Sequence, residues 1–277
     1  MIKIKKKLIS KKKIFITFEA GATHNGLKSA KKLIDVAKNS KADAIKFQMF
    51  RNKNLIMKNN MRFKFKILRK NGSYLSKSEN LKTIFQRRFL SDKEWFELKK
   101  YADKKKILFF VTVGDIKDIE MAKKLKCPSI KIASMDIDYF NLIEAAAKLK
   151  INIQIDTGGA SLIEIKKAIK IIEKYHTNII IHYCPPGYPT NIRDINFKNM
   201  EKIKSLGYPI GYSDHLPGNI ANFVAISKSV SLIEKTITLN KYTPQVEHCF
   251  SLNSIEAKNF VAEIRKIKFL LTNNTSP

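Results

Sequence analysis

Charged and hydroxyl side chains recur in this 277-residue sequence at points where short apolar segments end. The densest example is FEAGATHNG, in which Glu19 ends an apolar segment, and His24 and Asn25 follow before a helical pattern begins. A buried carboxylate is unfavourable unless it is paired or used in chemistry. Glu19 is therefore a candidate acid or base, and His24 and Asn25 are candidates for shaping the loop or contacting a ligand.

Two lysines lie inside otherwise apolar segments, Lys46 in DAIKFQ and Lys131 in SIKIAS. A buried, unpaired ammonium group is unfavourable, so bound anions or neighbouring carboxylates should meet these lysines. One interpretation is a cradle for phosphate and carboxylate groups. Hydroxyl side chains that would complete this cradle end other segments: Thr112, Ser134 and Ser213. The alternative interpretation is a structural ion pair with Glu19 or Glu234.

The tetrapeptide YSDH at 212–215 places a hydroxyl, a carboxylate and an imidazole side by side. His215 is a candidate ligand for a divalent metal, and a hydrogen-bonded loop histidine explains the pattern equally well. His182 and His248 each favour a structural role. Cys184, in HYCPPGYPT, fits either a buried thiol or a ligand.

Apolar segments and helical patterns alternate along the chain. The predicted strands are 14–19, 44–48, 107–112, 129–133, 152–156, 178–183, 209–212 and 231–235. The predicted helices are 28–40, 91–105, 116–126, 139–149, 161–175, 195–206, 218–228 and 254–272. Buried strands that alternate with helices indicate a parallel sheet with covered faces. Eight such units predict an α/β protein with a single (β/α)8 TIM barrel.

Several junctions add detail to this barrel. SDKE at 91–94 and SLIE at 161–164 are capping-box patterns that begin helices. We expect a short N-terminal hairpin within 2–10 to close the barrel floor. The weakly periodic, basic region 51–90 predicts an extended loop over the barrel mouth.

In such a barrel the carboxyl ends of the strands carry the active site. The side chains delivered there are the candidate site residues: Glu19, Lys46, Gln48, Thr112, Lys131, Ser134, Asp136, Thr157, Tyr188, Ser213, His215, Glu234, Glu247 and His248.

The formal net charge of +29 is spread along the chain, with lysines concentrated on predicted outer helix faces. This pattern favours a lysine-rich surface over nucleic-acid binding, which rests on charge alone. No apolar run approaches the ~20 residues of a membrane span, and no signal peptide is evident. Three scattered cysteines match neither a disulfide framework nor a zinc motif, so we expect a cytoplasmic protein.

In chain order, the segments EAGATHNG, ADAIKFQ, FFVTVGD, KIAS, DTGG, CPPGYP, GYSDH, IEKTITL and EHCFSL resemble the motifs of the sialic acid synthase family. The resemblance covers roughly residues 14–255. It implies a TIM barrel that condenses phosphoenolpyruvate with an N-acylated amino sugar such as N-acetylmannosamine, giving a sialic-acid-type 2-keto acid and phosphate. It also implies a divalent metal, typically Mn²⁺, with Mg²⁺ as the alternative.

The resemblance also implies a role for each candidate. Groups that would hold phosphoenolpyruvate are Lys46, Thr112, Lys131, Ser134 and Ser213. Groups that would face the sugar are Gln48, Asp136, Tyr188 and Glu247, with Thr157 as a further substrate-binding candidate. Glu19 would order or deprotonate water. His215 would bind the metal, with Glu234 or His248 as candidate further ligands.

This sequence departs from the family pattern at several of these positions. Thr236 stands where a second metal-binding histidine is usual, and Asp156 stands where a serine near the phosphate is usual. Pro185 and Pro186 replace a Thr-Ser pair. Two acids differ in length from the usual residues and suggest a different sugar: Asp136 and Glu247.

Typical members also carry a C-terminal antifreeze-like domain that mediates dimerisation. We expect residues 1–277 to form one catalytic barrel without it, so that a homodimer or a separate polypeptide carrying that domain is the expected protein partner. Two alternatives remain: an aldolase that uses Lys46 or Lys131 as a Schiff base, and a catalytically impaired barrel that binds a sugar.

Overall fold

A computed structural model describes residues 2–5, 7–9, 13–49 and 60–272 of the chain. Its strands are β1 (Ile2–Ile4), β2 (Lys7–Ile9), β3 (Phe15–Glu19), β4 (Ala44–Gln48), β5 (Arg62–Leu68), β6 (Tyr74–Asn80), β7 (Leu108–Val113), β8 (Ser129–Ile132), β9 (Asn152–Asp156), β10 (Ile179–Tyr183), β11 (Ile210–Asp214) and β12 (Leu232–Thr236). Its α-helices are α1 (Leu27–Asn39), α2 (Leu81–Gln86), α3 (Asp92–Lys104), α4 (Ile116–Lys124), α5 (Phe140–Ala147), α6 (Leu162–Glu173), α7 (Phe197–Lys204), α8 (Ile220–Ser227) and α9 (Ser254–Thr272).

Eight parallel strands close into a barrel in the order β3, β4, β7, β8, β9, β10, β11 and β12, and β12 pairs with β3. A helix follows each barrel strand, so the predicted (β/α)8 TIM barrel is confirmed. The predicted strands agree with the observed ones to within two residues at each end. The capping boxes at Ser91 and Ser161 are both formed, with reciprocal bonds to Glu94 and Glu164.

The strands bury both of their faces, as expected for a parallel sheet between side chains and helices. Residues on the outer face, such as Phe18, Phe47 and Phe109, pack in one apolar core with the helices. Trp95 of α3 meets the Phe109 ring edge-on, with ring centroids 6.4 Å apart. These contacts fix the register of each strand, and the register decides which alternate residues point into the barrel.

The barrel floor is apolar and closed. The antiparallel hairpin β1–β2 contributes Ile4 and Ile9 to a small cluster with inward residues of the barrel strands, including Phe15 and Phe110. The rings of Phe15 and Phe110 stack with centroids 6.1 Å apart. The expected N-terminal hairpin is therefore confirmed, and it seals the end of the barrel opposite the strand ends that carry function.

The region 60–90 corrects the expectation of an extended loop. It forms an antiparallel hairpin, β5–β6, followed by α2. Phe65 and Ile84 pack on Val246 in the segment after β12, and the Lys77 ammonium donates to the Pro244 carbonyl at 2.7 Å. The hairpin is thereby held against a loop at the barrel mouth. Positions 50–59 of the predicted loop lie outside the described residues.

No helix among the described residues is both long enough and apolar enough to cross a lipid bilayer.

Candidate active site

The upper half of the barrel interior is polar. Strand residues two apart share a face, so one inward residue identifies the next ones along each strand. Above Phe15, β3 therefore points Thr17 and Glu19 inward, and β12 points Glu234 and Thr236 inward above Leu232. The inward residues of the other strands at this level include Lys46, Thr112, Lys131, Asp156, His182 and Ser213. Most of the predicted phosphoenolpyruvate-binding residues thus meet at one level of the barrel.

Lys131 lies at the centre of this level and is almost completely buried. Its ammonium donates to the Ser213 hydroxyl at 2.8 Å and to Glu234 Oε1 at 2.6 Å. Asp156 Oδ2 lies 2.8 Å from the same nitrogen. Three acceptors match the three N–H groups of a lysine, so the charge is fully satisfied within the protein.

Lys46 forms a second, adjacent centre. Its ammonium donates to the Thr112 hydroxyl at 2.8 Å, lies 3.3 Å from Glu234 Oε1 and forms a close ion pair with Glu19. Glu234 therefore bridges the two lysines. Both of the ion pairs that the sequence suggested as an alternative, with Glu19 and with Glu234, are present.

The two glutamates that pair with Lys46 have pKa values shifted in opposite directions. Burial, with the charge of Glu234, raises the pKa of Glu19 more than Lys46 lowers it. Burial also acts to raise the pKa of Glu234, but Lys131 and Lys46 together hold that pKa well below its usual value. Environments that push paired pKa values apart mark candidate acid–base assignments. Glu234 is thus a permanent counter-ion, and Glu19 is the carboxyl group that can exchange a proton.

A glycine keeps Glu19 in this position. The Gly21 amide donates to Glu19 Oε1 in a close hydrogen bond. A side chain at Gly21 would collide with the Gln48 backbone, since an added Cβ would lie 2.3 Å from the Gln48 amide nitrogen. The turn after β3 therefore requires a residue without a side chain.

A chain of hydrogen bonds supports Ser213 from below. Ser213 Oγ donates to Asp156 Oδ1 at 2.8 Å and lies 3.1 Å from His182 Nδ1. His182 Nε2 lies 2.9 Å from the Gln154 side-chain oxygen. Burial, with the charge of Lys131, lowers the pKa of His182 to about 4, so the imidazole is neutral. His182 orients the site, in agreement with the structural role that the sequence favoured.

Gly211 explains how the barrel accommodates this histidine. An added Cβ at Gly211 would lie 2.7 Å from the His182 ring. The glycine in the neighbouring strand therefore leaves the space that His182 occupies, a signal that is visible in the sequence only once the strand register is known.

His215 lies at the end of β11 in an aromatic setting. Its ring centroid is 4.5 Å from that of Tyr188 and 5.8 Å from that of Phe250, and its Nδ1 is 3.9 Å from Cys184 Sγ. Burial lowers the pKa of His215 to about 4, and a neutral imidazole is the form that binds metals. The chemistry of His215 therefore fits a metal ligand.

A complete metal-ligand set is not assembled around His215. Within the described ranges, no three His, Cys, Asp or Glu residues are grouped closely enough to hold an ion. Glu234 is engaged by both lysines, and His248 Nδ1 lies 2.7 Å from the Thr238 hydroxyl in another loop. The donor set thus does not fit a self-sufficient metal centre, and the predicted divalent metal stays a prediction.

Several predicted substrate-binding residues lie at the rim of the barrel. Ser134 and Asp136 form a short 3-10 helix after β8, and burial raises the pKa of Asp136 to about 6. Tyr188 is 42% exposed, so only part of its ring is covered by the site. Thr157 donates its hydroxyl to the His182 carbonyl at 2.9 Å, which is a structural bond rather than an open ligand contact.

On the side of the mouth that faces α2, buried polar atoms lack partners. Glu247 Oε2, both ring nitrogens of His24 and His248 Nε2 have no hydrogen-bond partner among the described residues. Arg88, at the end of α2, is 5% exposed and carries its charge into the same region. The sequence reasoning missed Arg88, because no strand end or known motif marks it.

Comparisons with known proteins agree with this fold and show the family of the chain. A model of the NeuB family matches residues 33–276. The chain is 32% identical to an N,N'-diacetyllegionaminic acid synthase of Legionella pneumophila, covering 93% of this chain and 73% of that protein. It is 30% identical to a human N-acetylneuraminate-9-phosphate synthase, covering 94% and 72%.

A solved structure gives the same result. The N-acetylneuraminic acid synthetase of Leptospira borgpetersenii, in complex with citrate, superposes with a TM-score of 0.83 at 31% identity, covering 95% of this chain and 87% of that one. The predicted family is therefore confirmed, and these relatives are named as enzymes that form nonulosonic acids.

Proposed function

The chain belongs to the NeuB family of sugar-acid synthases, and we propose that it condenses phosphoenolpyruvate with an N-acylated amino sugar. The products would be a sialic-acid-type 2-keto sugar acid and inorganic phosphate. Phosphoenolpyruvate-dependent condensation is the general chemistry of the family. The finer proposal concerns the substrates of this chain and the residues that act on them.

The observation that carries the proposal is the pair of buried lysines at one level of the barrel mouth. Two ammonium groups that share Glu234, flanked by the hydroxyls of Thr112 and Ser213, suit a ligand with two anionic groups. Phosphoenolpyruvate carries its phosphate ester and its carboxylate on the same carbon, carbon 2. Charge-assisted hydrogen bonds from lysines are strong in such a desolvated setting.

The reaction forms a carbon–carbon bond and replaces the phosphate oxygen on carbon 2 with an oxygen from water. Carbon 3 of phosphoenolpyruvate bonds to the aldehyde carbon of the open-chain sugar, whose oxygen becomes a hydroxyl group. Water adds to carbon 2 and loses a proton, and the carbon–oxygen bond to phosphate then breaks to give the ketone. Lys46 and Lys131 would stabilise the departing phosphate, and no covalent bond to the protein is needed.

Glu19 would supply the proton transfer. Its raised pKa makes it a stronger base when ionised than an ordinary glutamate, and it contacts Lys46 directly. We propose that Glu19 takes the proton of the water that adds to carbon 2. On the acceptor side, the rim residues named from the sequence would face the sugar: Gln48, Asp136, Tyr188 and Glu247.

A specific observation weighs against the Schiff-base alternative. A lysine that acts as a nucleophile needs a lowered pKa. Although burial acts to lower it, the charges of Glu19, Glu234 and Asp156 raise the pKa of Lys46 above its ordinary value. Lys131 is likewise held by three acceptors. Both lysines are therefore better suited to bind anions than to attack a carbonyl.

The decisive experiment measures phosphate release from phosphoenolpyruvate with a panel of acylamino, diacylamino and neutral sugars, with and without Mn²⁺ or Mg²⁺. We expect turnover with an acylamino sugar and its loss in Lys46→Met. Lys32→Met, on the exposed face of α1, is the matched control and should keep wild-type activity. Absence of turnover with every sugar would refute the proposal, and borohydride trapping of a keto substrate on a lysine would support the aldolase instead.

A further inference from the structure

An arginine with little exposed surface lies close to Glu247 and His24. Arg88 is 5% exposed, and no hydrogen bond or ion pair to its side chain is found among the described residues, although its nitrogens are not among the fully buried atoms that lack a partner. Its neighbour Arg87 behaves in the ordinary way, with a bidentate ion pair to Glu79 at 2.6 and 2.7 Å. A charge that is largely removed from water and has no ion pair destabilises the folded protein. A bound ligand that accepts hydrogen bonds from Arg88 would offset this cost.

The surrounding structure fixes the position of Arg88. Ile84, one turn earlier, packs with Phe65 and Val246, and Leu90, two residues later, is part of the barrel core. The Arg88 backbone amide donates to the Phe85 carbonyl at 3.0 Å. The backbone at Arg88 is therefore anchored on both sides, which limits the region that its guanidinium can reach.

Glu247 is the carboxylate that faces this guanidinium. It follows Val246 directly and adopts a left-handed backbone conformation with φ of 71°, which is uncommon for a residue with a side chain. Its Oε2 atom is buried without a hydrogen-bond partner. Burial raises the pKa of Glu247 to about 7 against the opposing charge of Arg88. The two groups therefore feel each other's charge but do not close into an ion pair.

A donor and an acceptor on the same side of the mouth suit a ligand that carries both kinds of group. Arg88 offers several N–H donors in a planar fork, and Glu247 offers an acceptor. Nearby, His24 presents two ring nitrogens that have no hydrogen-bond partner among the described residues.

Resting on the proposed function, we propose that Arg88 is an acceptor-binding residue. Its guanidinium donates to oxygen atoms of a neutral N-acylated sugar, and Glu247 accepts from a hydroxyl or amide of the same molecule. Lys46 and Lys131 bind the other substrate, so loss of Arg88 affects one substrate only.

The test compares Arg88→Met and Arg88→Lys with the matched control Arg87→Met. Loss of hydrogen bonds from a charged group predicts a rise in the KM for the acceptor of roughly 10- to 150-fold in Arg88→Met. The KM for phosphoenolpyruvate should stay at the wild-type value. Arg88→Lys should recover part of the loss, and Arg87→Met should leave both KM values near wild type.

The melting temperature distinguishes ligand binding from a structural role, because the two roles predict changes of opposite sign in Arg88→Met. An arginine that waits for a ligand destabilises the free protein, so Arg88→Met should melt at the same or a higher temperature than wild type. A lower melting temperature, or an equal rise in acceptor KM in Arg87→Met, would overturn the inference in favour of a role in docking α2.

Calorimetry separates this inference from the proposed function. N-acetylmannosamine is titrated into wild type and Arg88→Met with phosphoenolpyruvate absent. We expect this sugar to bind wild type, and its binding to weaken in the variant. Equal affinity of wild type and variant, or no sugar binding to wild type, would overturn the role of Arg88. Sugar binding without phosphate release from any panel member would overturn only the proposed reaction.

Discussion

Replacing Asp156 should strengthen the binding of phosphoenolpyruvate. Asp156 Oδ2 occupies one of the three acceptor positions around the Lys131 ammonium, at 2.8 Å. Ser213 and Glu234 hold the other two positions and are more deeply buried than Asp156. An incoming anion that binds Lys131 must therefore displace Asp156 or share the nitrogen with it. In either case its charge lies close to a carboxylate.

The magnitude follows from the geometry. A phosphate oxygen bound to Lys131 at the distance of Asp156 Oδ2 and at a tetrahedral angle would lie ~4.6 Å from that carboxylate oxygen. Two unit charges at that separation repel by ~3.6 kcal/mol at an effective dielectric constant of ~20. Partial relaxation and solvent reduce this value to about 1.5–3.5 kcal/mol, so removal of the charge should tighten binding roughly 10- to 300-fold.

Isothermal calorimetry with phosphoenolpyruvate alone measures this effect directly. Asp156→Ser removes both charge and bulk, and Asp156→Asn removes the charge with nearly the same shape. Both variants should tighten binding, whereas Glu97→Gln, which removes an exposed carboxylate on α3, should not. Unchanged affinity in both Asp156 variants would show that the phosphate does not bind beside Lys131, and the reasoning would fail.

Three further predictions concern stability, metal binding and protonation. Lys235→Met should lower the free energy of unfolding by about 3–5 kcal/mol, because it leaves the buried Asp214 without the ammonium group that lies 2.6 Å away in wild type. A loss below ~1 kcal/mol in urea denaturation would contradict this prediction. Thr236→His should tighten Mn²⁺ binding at least about tenfold, because the register that pairs Asp214 with Lys235 would, continued by one residue, place position 236 beside His215; unchanged Mn²⁺ resonance spectra would contradict that placement. Burial lowers the pKa of each of the four buried histidines to about 3 or 4: His24, His182, His215 and His248. Their contribution to stability is therefore complete above pH ~6.5 and is lost as the pH falls toward those values, and proton resonance titrations should show no imidazole protonation near neutral pH in these residues.

The barrel was predictable because its signals are local and repeated. Each strand is a short apolar segment, and each helix has its own stripe of apolar residues or its own cap, as at Ser91 and Ser161. The lysines at 46 and 131 were conspicuous for the same reason, since a charge inside an apolar strand demands a partner. Glu19 and Glu234 were predicted as candidate partners, but which lysine pairs with which carboxylate, and that Asp156 also pairs with Lys131, was not predictable, because it depends on the register between strands distant in sequence.

The hairpin β5–β6 was not predicted, because its local sequence pattern is weak. RFKFKIL, at 62–68, alternates apolar and basic residues, but its partner strand YLSKSEN is mostly polar, so only one half carries a strand pattern. Its docking depends on Val246, which is far away in the chain. Arg88 was missed for the same reason: an arginine after a short helix is ordinary in sequence, and only its burial without a partner makes it unusual.

The structure shows the first of the two sequence interpretations of the buried lysines, the ion pair, and the proposed function adds the second, the anion cradle. Carboxylates neutralise Lys46 and Lys131, which allows both ammonium groups to be buried. Glu234 is held by both lysines and keeps a strongly lowered pKa, so under the proposed function it would anchor them when a substrate arrives. Asp156 is the more exposed partner and would yield its position, and Glu19 would release its charge by protonation. Under the proposed function the site would therefore exchange protein carboxylates for substrate anions around a fixed Glu234.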